Sequence, residues 1–157
     1  MITRTKDVMT RKLVTIPVGT SLADAREMMD ENRFRHLPII DEDGVIVGVL
    51  SARDYGQLED LDGLSLEDLT VEYFMNAPVE YVNQNMPVRS VVFKMLEKKI
   101  SSLVVADDNE IAVGIVTTDD LLWHLAHLLK KDDQEAKLLP LAETIGGLAT
   151  TLANSGI

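Results

Sequence analysis

The chain pairs a hydroxyl group with a carboxylate in two places, at the same spacing. "GVLSARDYG" (residues 48–56) and "GIVTTDDLL" (residues 114–122) both read glycine, two aliphatic residues, a hydroxyl residue, two variable residues and an aspartate. The hydroxyl residues are Ser51 and Thr117, and the aspartates three positions later are Asp54 and Asp120. We call this pattern the G-h-h-[ST]-x-x-D phrase.

The phrase has a structural and a chemical interpretation. A hydroxyl residue at the start of a helix ordinarily caps it by accepting hydrogen bonds from the first backbone amides, and an aspartate in the first turn is favourable there. The same amides attract phosphate. A carboxylate about one turn further along can accept two hydrogen bonds from the neighbouring hydroxyls of a ribose. The spacing therefore suits a nucleotide, but a single copy would be weak support.

The phrase belongs to a longer internal repeat. A shift of 66 residues, from 51 to 117, maps the second phrase onto the first and keeps its register upstream. Identical residues under this shift include Met9 and Met75, Met29 and Met95, and Asp41 and Asp107. Self-similarity at a fixed period indicates a duplicated structural unit. Two phrases in register support a binding role more strongly than one.

Each copy predicts the element order β-α-β-β-α. In the first copy, "KLVTIPV" predicts a strand, and "TSLADAREMMDENRF" predicts a helix capped by Ser21. "HLPII" and "VIVGVL" around the turn "DEDG" predict a hairpin, followed by a helix at the phrase. In the second copy, Pro87 lies early in a helix whose apolar stripe is expected to be Val88, Val91, Val92, Met95 and Leu96.

We predict an α+β fold in four segments. Residues 1–60 form the first repeat, 61–70 an acidic linker, 71–130 the second repeat and 131–157 a helical tail.

The sequence from about Thr5 to about Leu129 resembles a tandem pair of cystathionine-β-synthase (CBS) domains, the arrangement called a Bateman module. The marks of the resemblance are "DVMT" and "YFMN", "HLPIID" and "SLVVAD", and the two phrases. The resemblance implies two β-α-β-β-α repeats packed through their sheets about a pseudo-twofold axis. It also implies two clefts that in many members bind AMP, ADP, ATP or another adenosyl compound, and a tendency to form homodimers.

The resemblance further implies that each cleft takes residues from both copies. At the first cleft, Ser51 and Asp54 would hold phosphate and ribose, and the base would be bordered by Tyr81, Val82, Ser102 and Val104. At the second cleft, Thr117 and Asp120 would meet Thr15, Ile16, His36 and Pro38.

The two clefts are predicted to differ in charge. Arg53 lies inside the first phrase and can neutralise a phosphate, whereas Asp119 replaces it in the second phrase and repels one. Arg35 and His36 can approach the second cleft from the first copy. Arginine side chains at such positions are exposed to solvent about as often as they contact a ligand. We therefore expect a phosphorylated ligand at the first cleft.

The composition excludes several classes of function. The formal net charge is −11 and aromatic residues make up 4% of the chain, which disfavours nucleic-acid binding. No apolar run approaches the roughly 20 residues of a membrane span, and the absence of cysteine fits a cytoplasmic protein. No G-x-S-x-G, P-loop or H-E-x-x-H motif is present, so we expect no enzyme and no required cofactor. Asp120, His124 and His127 share a helical face, where ordinary packing is the better interpretation than a metal site.

These observations predict a stand-alone regulatory module that binds an adenosine-containing ligand and signals through a change in packing or oligomeric state. Its partners would be the nucleotide, a second copy of the chain and an unidentified regulated protein. The alternative is a dimerisation scaffold with the same fold and no ligand.

Overall fold

The structure is a computed structural model that describes residues 2–57 and 65–135. The chain divides into two compact units, residues 1–121 and 122–157, and both phrases begin in the first. The elements, in chain order, are α1 (Thr5–Val8), β1 (Ile16–Pro17), α2 (Leu22–Asn32), β2 (His36–Ile40), β3 (Ile46–Ser51), β4 (Tyr81–Asn83), α3 (Val88–Lys98), β5 (Ser102–Ala106), β6 (Ala112–Thr117) and α4 (Thr118–Glu135), with 3₁₀ turns at Asp54–Gln57 and Val71–Tyr73.

Each copy contributes one three-stranded sheet. The strand orders are β1-β2-β3 and β4-β5-β6, and in both sheets the first pair is parallel and the second is an antiparallel hairpin. The hairpins have matching registers, since His36 lies opposite Ser51 and Ser102 lies opposite Thr117. The predicted α+β fold of two related repeats is confirmed.

The two helices that follow β1 and β4 have the same length and both end at a residue in the left-handed conformation, but they begin differently. Ser21 caps α2 as predicted, because its hydroxyl accepts a hydrogen bond from the amide of Asp24 at 3.0 Å. Helix α3 begins after Pro87 and buries Val91 and Met95. Leu96, expected in the buried stripe of α3, is instead 68% exposed.

The two phrases lead into different elements. Thr117 is followed directly by α4, whereas Ser51 is followed by a 3₁₀ turn that begins at Asp54. The predicted α-helix at the first phrase is therefore wrong for the residues immediately after it. Residues 61–64 of the predicted linker and 136–157 of the predicted tail lie outside the described residues.

The leading segments of the two copies are exchanged. Residues 4–10 bridge the second copy through Arg4–Pro87 and Thr10–Ile115, and residues 70–76 bridge the first copy through Ser21–Thr70 and Val49–Asn76. Each core therefore contains a side chain from the other half of the sequence. Met9 packs in the core of the second copy, and Val71 packs in the core of the first. A smaller apolar cluster of Ile46, Val49 and Val104 joins the two sheets.

The glycine of each phrase is explained by this exchange. A Cβ atom on Gly48 would overlap the side chain of Met75. A Cβ atom on Gly114 would lie 2.6 Å from the carbonyl oxygen of Thr10 and 3.1 Å from the sulfur of Met9. Only glycine leaves room for the incoming segment at these positions.

Within the described residues, no helix combines the length and the apolar character needed to cross a membrane.

We predict that Gly48→Ala and Gly114→Ala each lower the free energy of unfolding, by about 1–3 kcal/mol, because a methyl group enters a filled contact. Urea unfolding measures the change. A second substitution should restore the stability of one variant but not of the other. Met75→Ala should remove most of the cost of Gly48→Ala, since the overlap is with a side chain. Met9→Ala should not rescue Gly114→Ala, since a backbone carbonyl is in the way. Equal rescue in both pairs would contradict this packing.

Candidate ligand-binding site

The two phrases share one local structure at the hydroxyl residue. The carboxylate of Asp54 accepts a hydrogen bond from the backbone N–H of Ser51 at 2.7 Å, and Asp120 accepts one from Thr117 at the same distance. The Thr117 hydroxyl also accepts from the amide of Asp120 at 3.2 Å, which completes a reciprocal capping arrangement. The Ser51 hydroxyl instead accepts from the amide of Arg53, also at 3.2 Å. Capping is thus fully developed only at the second phrase.

The two carboxylates differ in how many of their oxygens are engaged. Asp120 uses both, because its Oδ1 accepts from the Thr10 hydroxyl at 3.2 Å and its Oδ2 accepts from the hydroxyl and amide of Thr117. Asp54 uses Oδ2 alone, for Ser51 and for the side-chain amide of Asn76 at 3.4 Å. No described residue donates a hydrogen bond to its Oδ1. Asp54 therefore retains an acceptor that a ligand can use.

Burial raises the pKa of the Asp54 carboxyl above its ordinary value, and the hydrogen bonds from Ser51 and Asn76 act in the opposite direction. The turn that carries Asp54 is anchored by its neighbour. The Tyr55 hydroxyl donates to the carbonyl of Leu22 at 3.0 Å, and burial raises the pKa of Tyr55 to about 12. The carboxylate is therefore held on a turn that is tied to the start of α2.

A cavity of about 250 Å³ lies between the two copies at the first phrase. The first copy lines it with His36, Val49, Ser51, Arg53 and Asp54. The second half of the sequence lines it with Asn76, Pro78, Val79, Glu80, Lys99, Ile100, Ser101 and Ser102. The volume is close to the lower end of the range of about 300–1,000 Å³ for small-molecule sites.

The structure brings together four of the residues predicted for the first cleft: Ser51, Arg53, Asp54 and Ser102. Three others lie elsewhere. Val82 is 3% exposed and packs in the core of the second copy. Val104 is fully buried in the apolar cluster that joins the sheets, where it accompanies Val49. The Tyr81 hydroxyl reaches the carbonyl of Ile46 at 3.4 Å, and Tyr81 is absent from the described cavity lining.

Half of the residues that form the wall from the second copy lie just before β4, and the sequence analysis missed them. Strands β4 and β5 are parallel, with Tyr81 beside Val104, and the carbonyl of Glu80 accepts from the amide of Val104. Extending this register backwards places Val79 beside Ser102, at the edge that faces the first phrase. Pairing register between distant strands carries no local sequence signal. The one indication in the sequence of where these residues lie is the 66-residue repeat, which aligns the leading segments of the two copies.

The residues predicted for the second cleft are only partly brought together. Thr117 and Asp120 are hydrogen-bonded to each other. Ile16 is 1% exposed in the core of the first copy, Pro38 is buried in β2, and Thr15 is half-buried. His36, expected at the second cleft, lines the cavity at the first phrase, and it also lines a smaller cavity that includes Thr118 and Asp119 of the second phrase.

His36 connects the two copies. Its Nε2 lies 2.8 Å from the hydroxyl oxygen of Ser101. Burial lowers the pKa of the imidazole to about 4, against a raising effect of Asp119, and Arg35 and Arg53 lower it further. The ring is therefore neutral at pH 7.

The second phrase has its charges paired across the copies. Arg35 Nη1 lies 3.8 Å from Asp119 Oδ2, and both side chains are more than half exposed. Such a surface pair contributes little to stability, about 0–1 kcal/mol. The pair places Arg35 of the first copy beside Asp119, which lies at the position equivalent to Arg53 in the second phrase. The charge of Arg35 is therefore already balanced there.

Comparison with known proteins identifies the family. The CBS domain family matches residues 6–55 and 67–127. An L-aspartate semialdehyde sulfurtransferase from Methanocaldococcus jannaschii is 32% identical over 120 residues, which is 76% of this chain and 23% of the relative. The chain thus spans about a quarter of the length of that relative.

Solved structures agree with this assignment. The CBS domain pair of protein MJ0100, in complex with 5′-methylthioadenosine and S-adenosyl-L-methionine, has a TM-score of 0.72 and 29% identity and covers 81% of this chain and 98% of its own. The CBS domain of a bacterial CNNM/CorC family Mg²⁺ transporter, in complex with ATP, has a TM-score of 0.65 and 27% identity, with 76% and 84% coverage.

We predict that His36 makes stability depend on pH. Between its ordinary pKa of about 6.5 and its folded value of about 4, the unfolded chain binds a proton that the folded protein does not. The free energy of unfolding should therefore fall as the pH falls through this window, by up to about 3 kcal/mol.

The measurement is urea unfolding of the wild type and His36→Gln at several values between pH 4 and pH 7. The stability advantage of the wild type should shrink as the pH falls. His127→Gln, on the exposed part of α4, is the matched control for the loss of an imidazole elsewhere in the chain. A difference between wild type and His36→Gln that is constant with pH would contradict the prediction.

Proposed function

Because the chain belongs to the CBS domain family, we propose that it is a regulatory module that binds an adenosine-containing ligand in the cavity at the first phrase. The observation that carries the proposal is the cavity itself, which surrounds one space with the Asp54 carboxylate from one copy and an apolar wall from the other. Relatives of known structure, solved with adenosyl compounds, support the same ligand class.

The proposed binding mode uses the two sides of the cavity differently. Asp54 Oδ1 would accept hydrogen bonds from the ribose hydroxyls, since Oδ2 is already engaged with Ser51. The adenine ring would lie against Val49, Pro78, Val79 and Ile100, which supply apolar surface from both copies. The phosphate end would face Ser51 and Arg53.

The proposed signal is a shift in the relative arrangement of the copies. A ligand that contacts both copies binds most tightly to the arrangement that closes the cavity, and it therefore favours that arrangement. His36 and Ser101 form a contact between the copies beside the cavity, at 2.8 Å. A ligand bound beside these two residues would change the free energy of the contact between the copies.

The output would be delivered to another protein surface. On α3, Phe93 and Leu96 are 57% and 68% exposed. Exposed apolar groups on neighbouring turns fit a subunit contact. The homodimer and the regulated partner remain predictions.

We predict that AMP, ADP or ATP raises the melting temperature of the purified protein by several degrees. A ligand at 100 times its Kd stabilises by about 2.7 kcal/mol. Asp54→Asn should weaken the apparent affinity for the nucleotide at least tenfold, because the ribose loses a charged acceptor. The shift in melting temperature should be correspondingly smaller. Asp120→Asn is the matched control at the other phrase and should keep the shift. Thermal denaturation with a panel of nucleotides measures this.

Unchanged melting across the panel at millimolar ligand would favour the scaffold alternative. Loss of the shift in Asp120→Asn but not in Asp54→Asn would place the ligand at the second phrase and contradict the proposed site.

A further inference from the structure

We infer that Asn76 keeps one oxygen of the Asp54 carboxylate available to a ligand, whereas Thr10, at the equivalent position, engages the same oxygen of Asp120. This inference rests on the proposed function and adds a positioning residue to its site. The shift of 66 residues maps Thr10 onto Asn76. Each of the two follows the methionine that packs against the glycine of the other copy's phrase.

The backbone places these two residues equivalently beside the two phrases. Thr10 pairs with Ile115 through two backbone hydrogen bonds, of 2.9 and 3.0 Å. Asn76 pairs with Val49 in the same way, at 2.9 and 3.1 Å. Val49 and Ile115 each follow the glycine of their phrase directly, so the two pairs have the same register. The side chains at positions 10 and 76 therefore begin at equivalent points of the fold.

The two side chains donate to different oxygens of their carboxylates. In both phrases, Oδ2 of the aspartate accepts the backbone N–H of the hydroxyl residue at 2.7 Å. The Thr10 hydroxyl donates to Oδ1 of Asp120 at 3.2 Å. The side-chain amide of Asn76 donates to Oδ2 of Asp54 at 3.4 Å. Threonine thus engages the second oxygen of its carboxylate, whereas asparagine shares the oxygen that the phrase already engages.

This difference decides what a ribose would meet at each aspartate. No described residue donates to Oδ1 of Asp54, and Asn76 lines the same cavity as that carboxylate. At Asp120, a ribose hydroxyl would have to displace the Thr10 hydroxyl. Because a hydrogen bond to a charged group is one of the stronger ones, that competition would weaken binding about tenfold. The residue after each exchanged methionine therefore selects which of the two duplicated phrases accepts a ligand.

Substitution at position 76 tests the inference. In Asn76→Thr, the new hydroxyl should engage Oδ1 of Asp54 as Thr10 engages Asp120. Asn76→Val is the matched control, because valine has the shape of threonine without the hydroxyl. Calorimetric titration of the full chain with AMP, ADP and ATP measures the affinities. Asn76→Thr should bind nucleotide about tenfold more weakly than Asn76→Val. Thr10→Val, at the other phrase, should bind like the wild type.

A second measurement needs no ligand. Burial raises the pKa of the Asp54 carboxyl, and a hydrogen bond donated to the carboxylate lowers it. NMR titration of this carboxyl should therefore give a lower pKa in Asn76→Thr than in Asn76→Val. A purely structural role for position 76 would not separate these two variants, since their side chains have the same shape.

The outcomes distinguish this inference from the proposed function. Equal pKa values of Asp54 in Asn76→Thr and Asn76→Val would show that the residue at position 76 does not control the carboxylate, and would overturn the inference. A lower pKa in Asn76→Thr with unchanged affinity would also overturn it, because the engaged oxygen would not be the one that the ligand uses. Nucleotide binding by the wild type leaves the proposed function standing in both cases. A wild type that binds no nucleotide would overturn the proposed function, and with it the role of Asn76 in ligand access.

Discussion

Met9 and Met75 each cross to the other copy and pack against the glycine that begins the G-h-h-[ST]-x-x-D phrase of that copy. Gly114 leaves room for Thr10 and Met9, and Gly48 leaves room for Met75. The cavity depends on this constraint. The segment that carries Met75 continues into Asn76, Pro78 and Val79, which form its far wall. If the exchanged segments did not lie against the glycines, the first phrase would face solvent instead of a second wall.

Duplication supplies two phrases, but their surroundings give them different tasks. At the second, Asp120 and Thr117 satisfy each other and Thr10 engages the remaining oxygen, so the phrase acts as a helix cap. At the first, the 3₁₀ turn leaves Oδ1 of Asp54 without a donor among the described residues, in a space shared with Arg53. Capping and the proposed ligand binding therefore use the same residue pattern, and they differ in which hydrogen bonds the carboxylate has already made.

Local signals in the sequence predicted much of the fold. The Ser21 cap and the alternation of the hairpins are encoded within a few residues of where they act, the repeat is visible as a constant shift of 66 residues, and all three are present. The candidate site was harder to predict. Its first-copy residues Ser51 and Asp54 follow from the phrase. The second-copy wall depends on the parallel register of β4 with β5, and the position of His36 depends on packing between the copies. The prediction for Val82 also failed, because the alternation of side chains along β4 directs Val82 into the core of the second copy.

The account joins a carboxylate acceptor, an apolar wall and the cation of Arg53 in one space between the copies. A crystal structure of the protein grown with AMP examines all three at once. We expect the ribose hydroxyls within hydrogen-bonding distance of Asp54 Oδ1, the adenine between Val49 and Ile100, and the phosphate near Ser51 and Arg53. Nucleotide bound only at the second phrase, or an Asp54 carboxylate that makes no contact with the bound ribose, would contradict the central claim.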